Sequence, residues 1–216
     1  MNEFLEWLFE KVSNCWLRRA GSNCDTRLNK FQEQFFAEIS NFCYSMCMIE
    51  LLILYSLNKR ERTLYSLRAD IIEKFGSFTK PSIGTIHPAL KRLLENNVVT
   101  IRNDYSEGGK KSTFYGLALH WQKKFRDLFF TPMSDNPTNF FTELQTRIAV
   151  LSLLDKELKE TFFEDVAIKL ESNRLDLENT LDDEYIALDV YQKGVLKRNI
   201  TEIENIQKLL KDLRGN

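Results

Sequence analysis

Histidine is nearly missing from this chain, with only His87 and His120 among 216 residues. The four cysteines, Cys15, Cys24, Cys43 and Cys47, crowd into the first 47 residues and lack a paired CxxC pattern. Zinc asks for roughly four nitrogen or sulfur ligands, so neither a metal centre nor another cofactor is expected. The cysteines read instead as core thiols of a reducing compartment. There is no phosphate-cradling glycine loop, no H-E-x-x-H and no G-x-S-x-G. Neither histidine has a nucleophile or carboxylate partner nearby in sequence. These absences argue against an enzyme. Long apolar runs are also lacking: the stretch from Cys43 to Leu57 holds Glu50 and is too short to cross a bilayer. Glu3, Glu6 and Glu10 interrupt the N-terminus, so no signal peptide is expected and the protein reads as cytoplasmic.

Net charge is slight, -1 overall, but its distribution is polarised. Residues 59–126 carry 14 Lys and Arg against 6 Asp and Glu. The first 58 residues and residues 134–216 are both acidic. A basic middle attracts phosphates and displaces their counterions.

Apolar periodicity predicts a mostly helical chain. Residues 3–19 place Leu5, Leu8, Phe9, Val12 and Trp16 on one helical face. A second helix is expected over about 26–57, ending in an apolar run from Ile49. A third spans 64–75, with Leu64, Leu67, Ile71, Ile72 and Phe75 inward, and Gly76 ends it. The segment from Ser82 to Glu95 repeats Ile86, Ala89, Leu90, Leu93 and Leu94 at helical spacing. Its other face carries Thr85, His87, Lys91 and Arg92, with no acid before Glu95. Strand-like runs follow at Val98 to Ile101 and Thr113 to Leu119, around Gly108-Gly109-Lys110-Lys111. Helices are then expected over 119–130, 138–153, 155–180 and 183–213, with Asn136 a cap before the second of these. Between Thr138 and Arg214 there is no proline and one glycine, Gly194. The last helix turns Ile186, Val190, Val195, Ile200, Ile203, Ile206, Leu209, Leu210 and Leu213 inward at near-heptad intervals. Such thin amphipathic helices must bury their stripes on each other or on a second chain.

A basic-faced helix followed by a lysine-tipped hairpin has the layout of a winged helix-turn-helix, a form that fits the DNA major groove. Ser82 and Thr85 add hydroxyls to the helix N-terminus, where backbone N–H groups favour phosphate. His87 and Lys91 lie four apart and project together. Arg92 suits either a phosphate clamp or an inward ion pair. Lys110 and Lys111 suit the minor groove or its phosphates.

Gly84-Thr85-Ile86-His87-Pro88-Ala89-Leu90-Lys91-Arg92-Leu93 resembles the PadR-family signature G-T-[LI]-Y-P-A-L-x-R-L. Gly108-Gly109-Lys110-Lys111 with Phe114-Tyr115 is similar to that family's wing. The run from Tyr191 to Leu213 resembles the last helix of the subgroup with a virulence-activator type C-terminal domain. The resemblance covers about residues 46–213. It implies a bacterial transcriptional regulator, usually a repressor, acting near the nucleoid. It also implies a homodimer on a pseudo-palindromic operator, released by a small aromatic effector. His87 stands where the family has tyrosine. Arg68-Ala69 replaces the usual Gly-Tyr and adds a cation near the DNA. Some 45 residues precede the usual start.

The expected architecture is therefore mainly α with a small β-hairpin wing, in three parts. Residues 1–45 are a helical extension, 46–131 a winged-helix DNA-binding domain, and 138–216 a helical dimerisation domain. Expected DNA contacts are Ser82, Thr85, His87, Lys91, Arg92, Arg68, Lys110 and Lys111. Expected dimer contacts are Val190, Ile203, Ile206, Leu210 and Leu213. Trp7, Trp16 and Trp121 either line an aromatic effector pocket or anchor the core and interface. A rival reading is a protein-interaction module on the same scaffold, using the N-terminal extension and the acidic C-terminal helices.

Overall fold

The computed structural model describes residues 47–105 and 111–215. The expected helix at 3–19, the start of the 26–57 helix, Trp7, Trp16 and Lys110 lie outside the described residues. The chain divides into two compact units, Met1–Val150 and Leu151–Asn216. Seven α-helices and one two-stranded sheet make up the described residues.

In the first unit, α1 is helical over 47–57. Ile49, Leu51, Leu52, Ile53, Leu54 and Leu57 are all buried, the position a helix this apolar on every side must take. Helix α2 (Leu64–Phe75) starts at Thr63, whose hydroxyl accepts the Ser66 N–H at 3.3 Å. Leu67, Ile71 and Phe75 recur every four residues and are buried. A Cβ on Gly76 would lie 2.3 Å from the Ile72 carbonyl oxygen, so the chain closes α2 with the residue that has none.

Helix α3 (Ile83–Glu95) begins at Ser82, which accepts the Thr85 N–H at 3.1 Å. It ends where Asn97 takes a left-handed φ of 55°, a conformation asparagine tolerates better than most residues. The Val98 N–H then returns to the Leu93 carbonyl at 2.9 Å and aims the chain into the hairpin.

Strand β1 (Val99–Tyr105) pairs antiparallel with β2 (Lys111–Leu117), from Val99 opposite Leu117 to Tyr105 opposite Lys111. Apolar alternation predicts a first strand ending at Ile101. The ladder continues through Arg102, Asn103 and Asp104 because Thr100 to Tyr105 are exposed and backbone pairing holds them without burial. Arg62 adds a one-residue third strand. Its N–H donates to the Tyr115 carbonyl at 3.0 Å, and the Tyr115 N–H donates back at 2.8 Å.

Helix α4 (Trp121–Phe129) buries Phe125, Leu128 and Phe129. Helix α5 (Pro137–Val150) has proline at its first position, where the missing N–H removes no helix bond. The Asn139 N–H reaches the Asn136 side chain at 3.4 Å, at the cap position expected from sequence. The connection between α4 and α5 is clamped from α5. Glu143 Oε2 accepts the Ser134 N–H at 3.1 Å, and Arg147 Nη2 donates to the Thr131 carbonyl at 2.5 Å.

In the second unit, a short 3₁₀ turn (Leu151–Leu153) precedes α6 (Lys156–Asp182), capped by Asp155. Helix α7 (Val190–Arg214) starts seven residues later than the periodicity predicts. Asp189 accepts the Gln192 N–H at 2.7 Å and Gln192 returns the bond at 2.9 Å, a capping box that sets the boundary. Ile186 consequently lies outside the helix and is exposed. The two helices run antiparallel. Arg214, at the end of α7, reaches Glu160 at 2.6 Å and Glu164 at 3.3 Å near the start of α6. Gln207 donates to Glu171 at 3.2 Å, and the Arg174 guanidinium beside Glu171 holds that carboxyl below the usual carboxylate range. Phe162, Phe163, Val166 and Leu170 on α6, with Ile203 and Leu210 on α7, are buried.

Glu143 is buried, and its Oε1 has no hydrogen-bond partner among the described residues. Burial pushes its carboxyl above the ordinary range, against the opposing pull of the Ser134 N–H and the Arg147 charge. A carboxyl raised on folding contributes stability that is complete below its unfolded pKa and lost as pH rises through the folded one. Glu143→Gln is therefore expected to melt above the wild type at neutral pH. The gap should shrink on acidification through the carboxylate range, as followed by thermal melts across pH.

Candidate nucleic-acid interface

At 100° per residue, Gly84, Pro88, Lys91 and Glu95 form the outermost line of α3, opposite the buried Ile86, Ala89, Leu90 and Leu93. Thr85 and Arg92 flank that line on one side and His87 on the other. Gly84, Thr85, His87, Pro88 and Lys91 are all exposed. Gly84 and Pro88 are not among the expected DNA contacts, although the helical phase places them at the crest. Pro88 has no N–H to give the Gly84 carbonyl, and Gly84 has no side chain. The crest is thus low and shows bare backbone. A Cβ on Gly84 would meet only the Ser82 hydroxyl, at 3.5 Å, so the fold itself does not demand glycine there.

The polar side chains around this crest differ in how they are engaged. Ser82 Oγ and Thr85 Oγ1 lie 2.9 Å apart at the helix start. Lys91 faces Glu95 at 3.8 Å, and both are well exposed, so water competes with the pair and little is lost by breaking it. Arg92 turns inward: its Nε donates to Glu50 of α1 at 2.8 Å, with the Arg92 side chain 30% exposed and that of Glu50 only 8%. Arg68 is half-buried and donates to the carbonyl of Pro81 at 3.1 Å, bracing the connection that leads into α3. Lys80, exposed just before the Ser82 cap, is a further cation that was not singled out from sequence. Its place beside the helix N-terminus was the available signal.

On the wing, Lys111 opens β2 and is exposed. Arg102 is held by Glu61 at 2.9 Å and Asp104 at 3.2 Å. Trp121 lies edge-on to Phe125 at 5.9 Å, half-buried at the start of α4. In the second unit, Ile203 and Leu210 are buried and Ile206 is half-buried, whereas Val190 and Leu213 are exposed. No cluster of His, Cys, Asp or Glu that could hold a metal occurs among the described residues. No helix among them is long and apolar enough to cross a membrane.

The Glu50–Arg92 pair separates two roles for Arg92. Removing one partner of a largely buried pair leaves the other charge uncompensated. Arg92→Met is expected to lower unfolding stability by about 3 kcal/mol, measured by urea denaturation. A cation that only clamped phosphate would leave the urea midpoint unchanged.

Comparison with known proteins bears on the same segment. Residues 53–126 match the model of the Transcriptional regulator PadR-like family. No curated protein matches the chain. Among solved structures, the chain is similar to Bacillus subtilis PadR in complex with operator DNA. The identity is 19%, over 77% of this chain and 96% of that one, with a TM-score of 0.37. It is also similar to smu.1604c from Streptococcus mutans, at 19% identity over 77% and 98% of the two chains and a TM-score of 0.35. A PadR family transcription regulator from Clostridium difficile is 25% identical over 37% of this chain and 80% of its own, with a TM-score of 0.31. Superpositions this loose leave the assignment to the family match, which covers the end of α1, all of α2, α3 and the wing, and most of α4. By that match, residues 53–126 are a PadR-family domain.

Proposed function

We propose that the chain is a transcriptional repressor that binds duplex DNA sequence-specifically as a homodimer. In this reading residues 46–131 are the DNA-binding domain and 138–216 the dimerisation domain. Helix α3 enters the major groove with Thr85, His87 and Lys91 toward base edges and phosphates. Ser82 and the first N–H groups of α3 meet the backbone. The wing, through Lys110 and Lys111, lies on the adjacent backbone or minor groove.

The observation that carries this reading is the crest of α3. A helix whose inner face is fully buried leaves its outer face open from Gly84 to Lys91, with no acid before Glu95. The other cations nearby, Arg68 and Arg92, are engaged inside the protein. Lys91 is therefore the α3 cation available to DNA. Two such helices related by a two-fold axis match two inverted half-sites, which motivates the pseudo-palindromic operator.

The homodimer rests on the second unit. Leu209 and Leu213 are exposed on α7, as are Val190, Tyr191 and Val195. A two-helix hairpin with this much apolar surface in water favours a partner. Ile203 and Leu210 are already buried within the chain, so the exposed residues are the ones left to meet a second copy.

Two outcomes are expected. A random duplex pool should yield an enriched sequence for the full-length chain, with affinity falling steeply as salt rises. Lys91→Glu should abolish that binding while leaving the melting temperature unchanged. Absence of any enriched duplex, with a stable complex to another protein, would favour the interaction-module reading instead. Separately, Leu209→Asp with Leu213→Asp should give a folded monomer by sedimentation and circular dichroism, because charge would enter the subunit interface.

A further inference from the structure

The wing has two chemically different faces, because successive residues of a strand point to opposite sides. One face carries Arg102, Asp104 and Phe114. Arg102 lies 4.9 Å from the centroid of the Phe114 ring and is bound by Asp104 and by Glu61. Among the described residues, the single cation on this face is matched by two carboxylates, so an approaching phosphate meets acid.

The opposite face carries Ile101, Asn103 and Tyr105 from β1, with Thr113 and Lys111 across the ladder. The Thr113 hydroxyl donates to Asn103 Oδ1 at 3.1 Å, which fixes these side chains on a common side. Among the described residues this face has no acidic side chain. Lys111 sits directly opposite Tyr105, and both are exposed. Tyr105 is 63% exposed. An aromatic ring left in water beside a lysine, on a face without acid among the described residues, suits a polyanion with flat apolar sugar edges.

We propose that the wing docks on duplex DNA through the Ile101–Asn103–Tyr105–Lys111 face, and that Tyr105 is a specificity-determining residue reading the minor groove. This rests on the reading of the chain as a DNA-binding protein. Lys111 takes a phosphate at the groove edge. The Tyr105 ring packs on deoxyribose, and its O–H donates to adenine N3 or thymine O2. These acceptors are shared by both orientations of an A·T pair, whereas guanine places its 2-amino group in the same groove. The wing therefore prefers A·T pairs where it lands, independently of what α3 reads in the major groove.

The experiment uses the full-length chain and a duplex enriched by it from a random pool, with affinities from fluorescence anisotropy. Each A·T pair is replaced in turn by G·C and by inosine·C, which differ only in the minor-groove amino group. At the pairs under the wing, wild type should weaken about tenfold on G·C, within the range of one lost base contact, and recover on inosine·C. Tyr105→Phe should lose this discrimination, and Tyr105→Ala should also bind more weakly, with unchanged melting curves. If both variants discriminate like wild type while Lys91→Glu loses binding, the DNA-binding reading stands and the role of Tyr105 is overturned. A larger effect from Arg102→Ala than from Tyr105→Ala assigns docking to the other face and equally overturns it. A pool with no enriched duplex overturns both readings together.

Discussion

Arg62 is the residue on which the geometry of the first unit converges. Its backbone makes both hydrogen bonds to Tyr115 of β2. Its side chain turns back, with Nε donating to the Ser56 carbonyl at the end of α1 and Nη2 to Asp70 of α2 at 2.6 Å. Asp70 is shared with Lys74, one turn further along α2. One residue thus ties α1, α2 and the wing together. A buried ion pair contributes little net stability once desolvation is counted. Its value here is positional: the guanidinium accepts few arrangements of its partners on α1 and α2, while the backbone of the same residue is bonded to β2. The wing's root is held relative to the helices by that constraint together with the apolar contacts of Val98 and Val99.

Several other cations of the basic segment divide by side-chain type. Arg62, Arg68, Arg92 and Arg102 all bond to carboxylates or carbonyls of the protein. The lysines Lys80, Lys91 and Lys111 stay exposed. This division follows from side-chain chemistry. A planar guanidinium with several fixed donors satisfies two internal partners at once, whereas a strongly hydrated ammonium is best left in water. The positive charge available to a polyanion is accordingly smaller than the excess of Lys and Arg between 59 and 126, and it is carried mainly by lysine.

The second unit has a different character. Its two long helices share a narrow seam, with Ile203 and Leu210 inside and ion pairs at one end. Val190, Tyr191, Val195, Leu209 and Leu213 of α7 are exposed. The heptad-like pattern in the sequence contained both sets without separating them, since a 3.5-residue repeat marks an apolar stripe but not which helix covers it.

Helix positions were largely readable from the amino acids alone because their causes are local. Thr63, Ser82 and Gly76 bound α2 and α3 through contacts within a few residues, and the periodicities of Leu67-Ile71-Phe75 and Ile86-Leu90-Leu93 mark the buried faces. The exposed crest of α3 was legible for the same reason. Folding in three dimensions assigned the remaining roles. It turned Arg92 toward Glu50, 42 residues away, and Arg102 toward Glu61, 41 residues away. It also paired Tyr105 with Lys111 across the hairpin, and so gave the described part of the wing an acidic and an acid-free side. A charged side chain's role depends on whichever opposite charge lies within a few ångströms, and linear spacing carries no record of that distance.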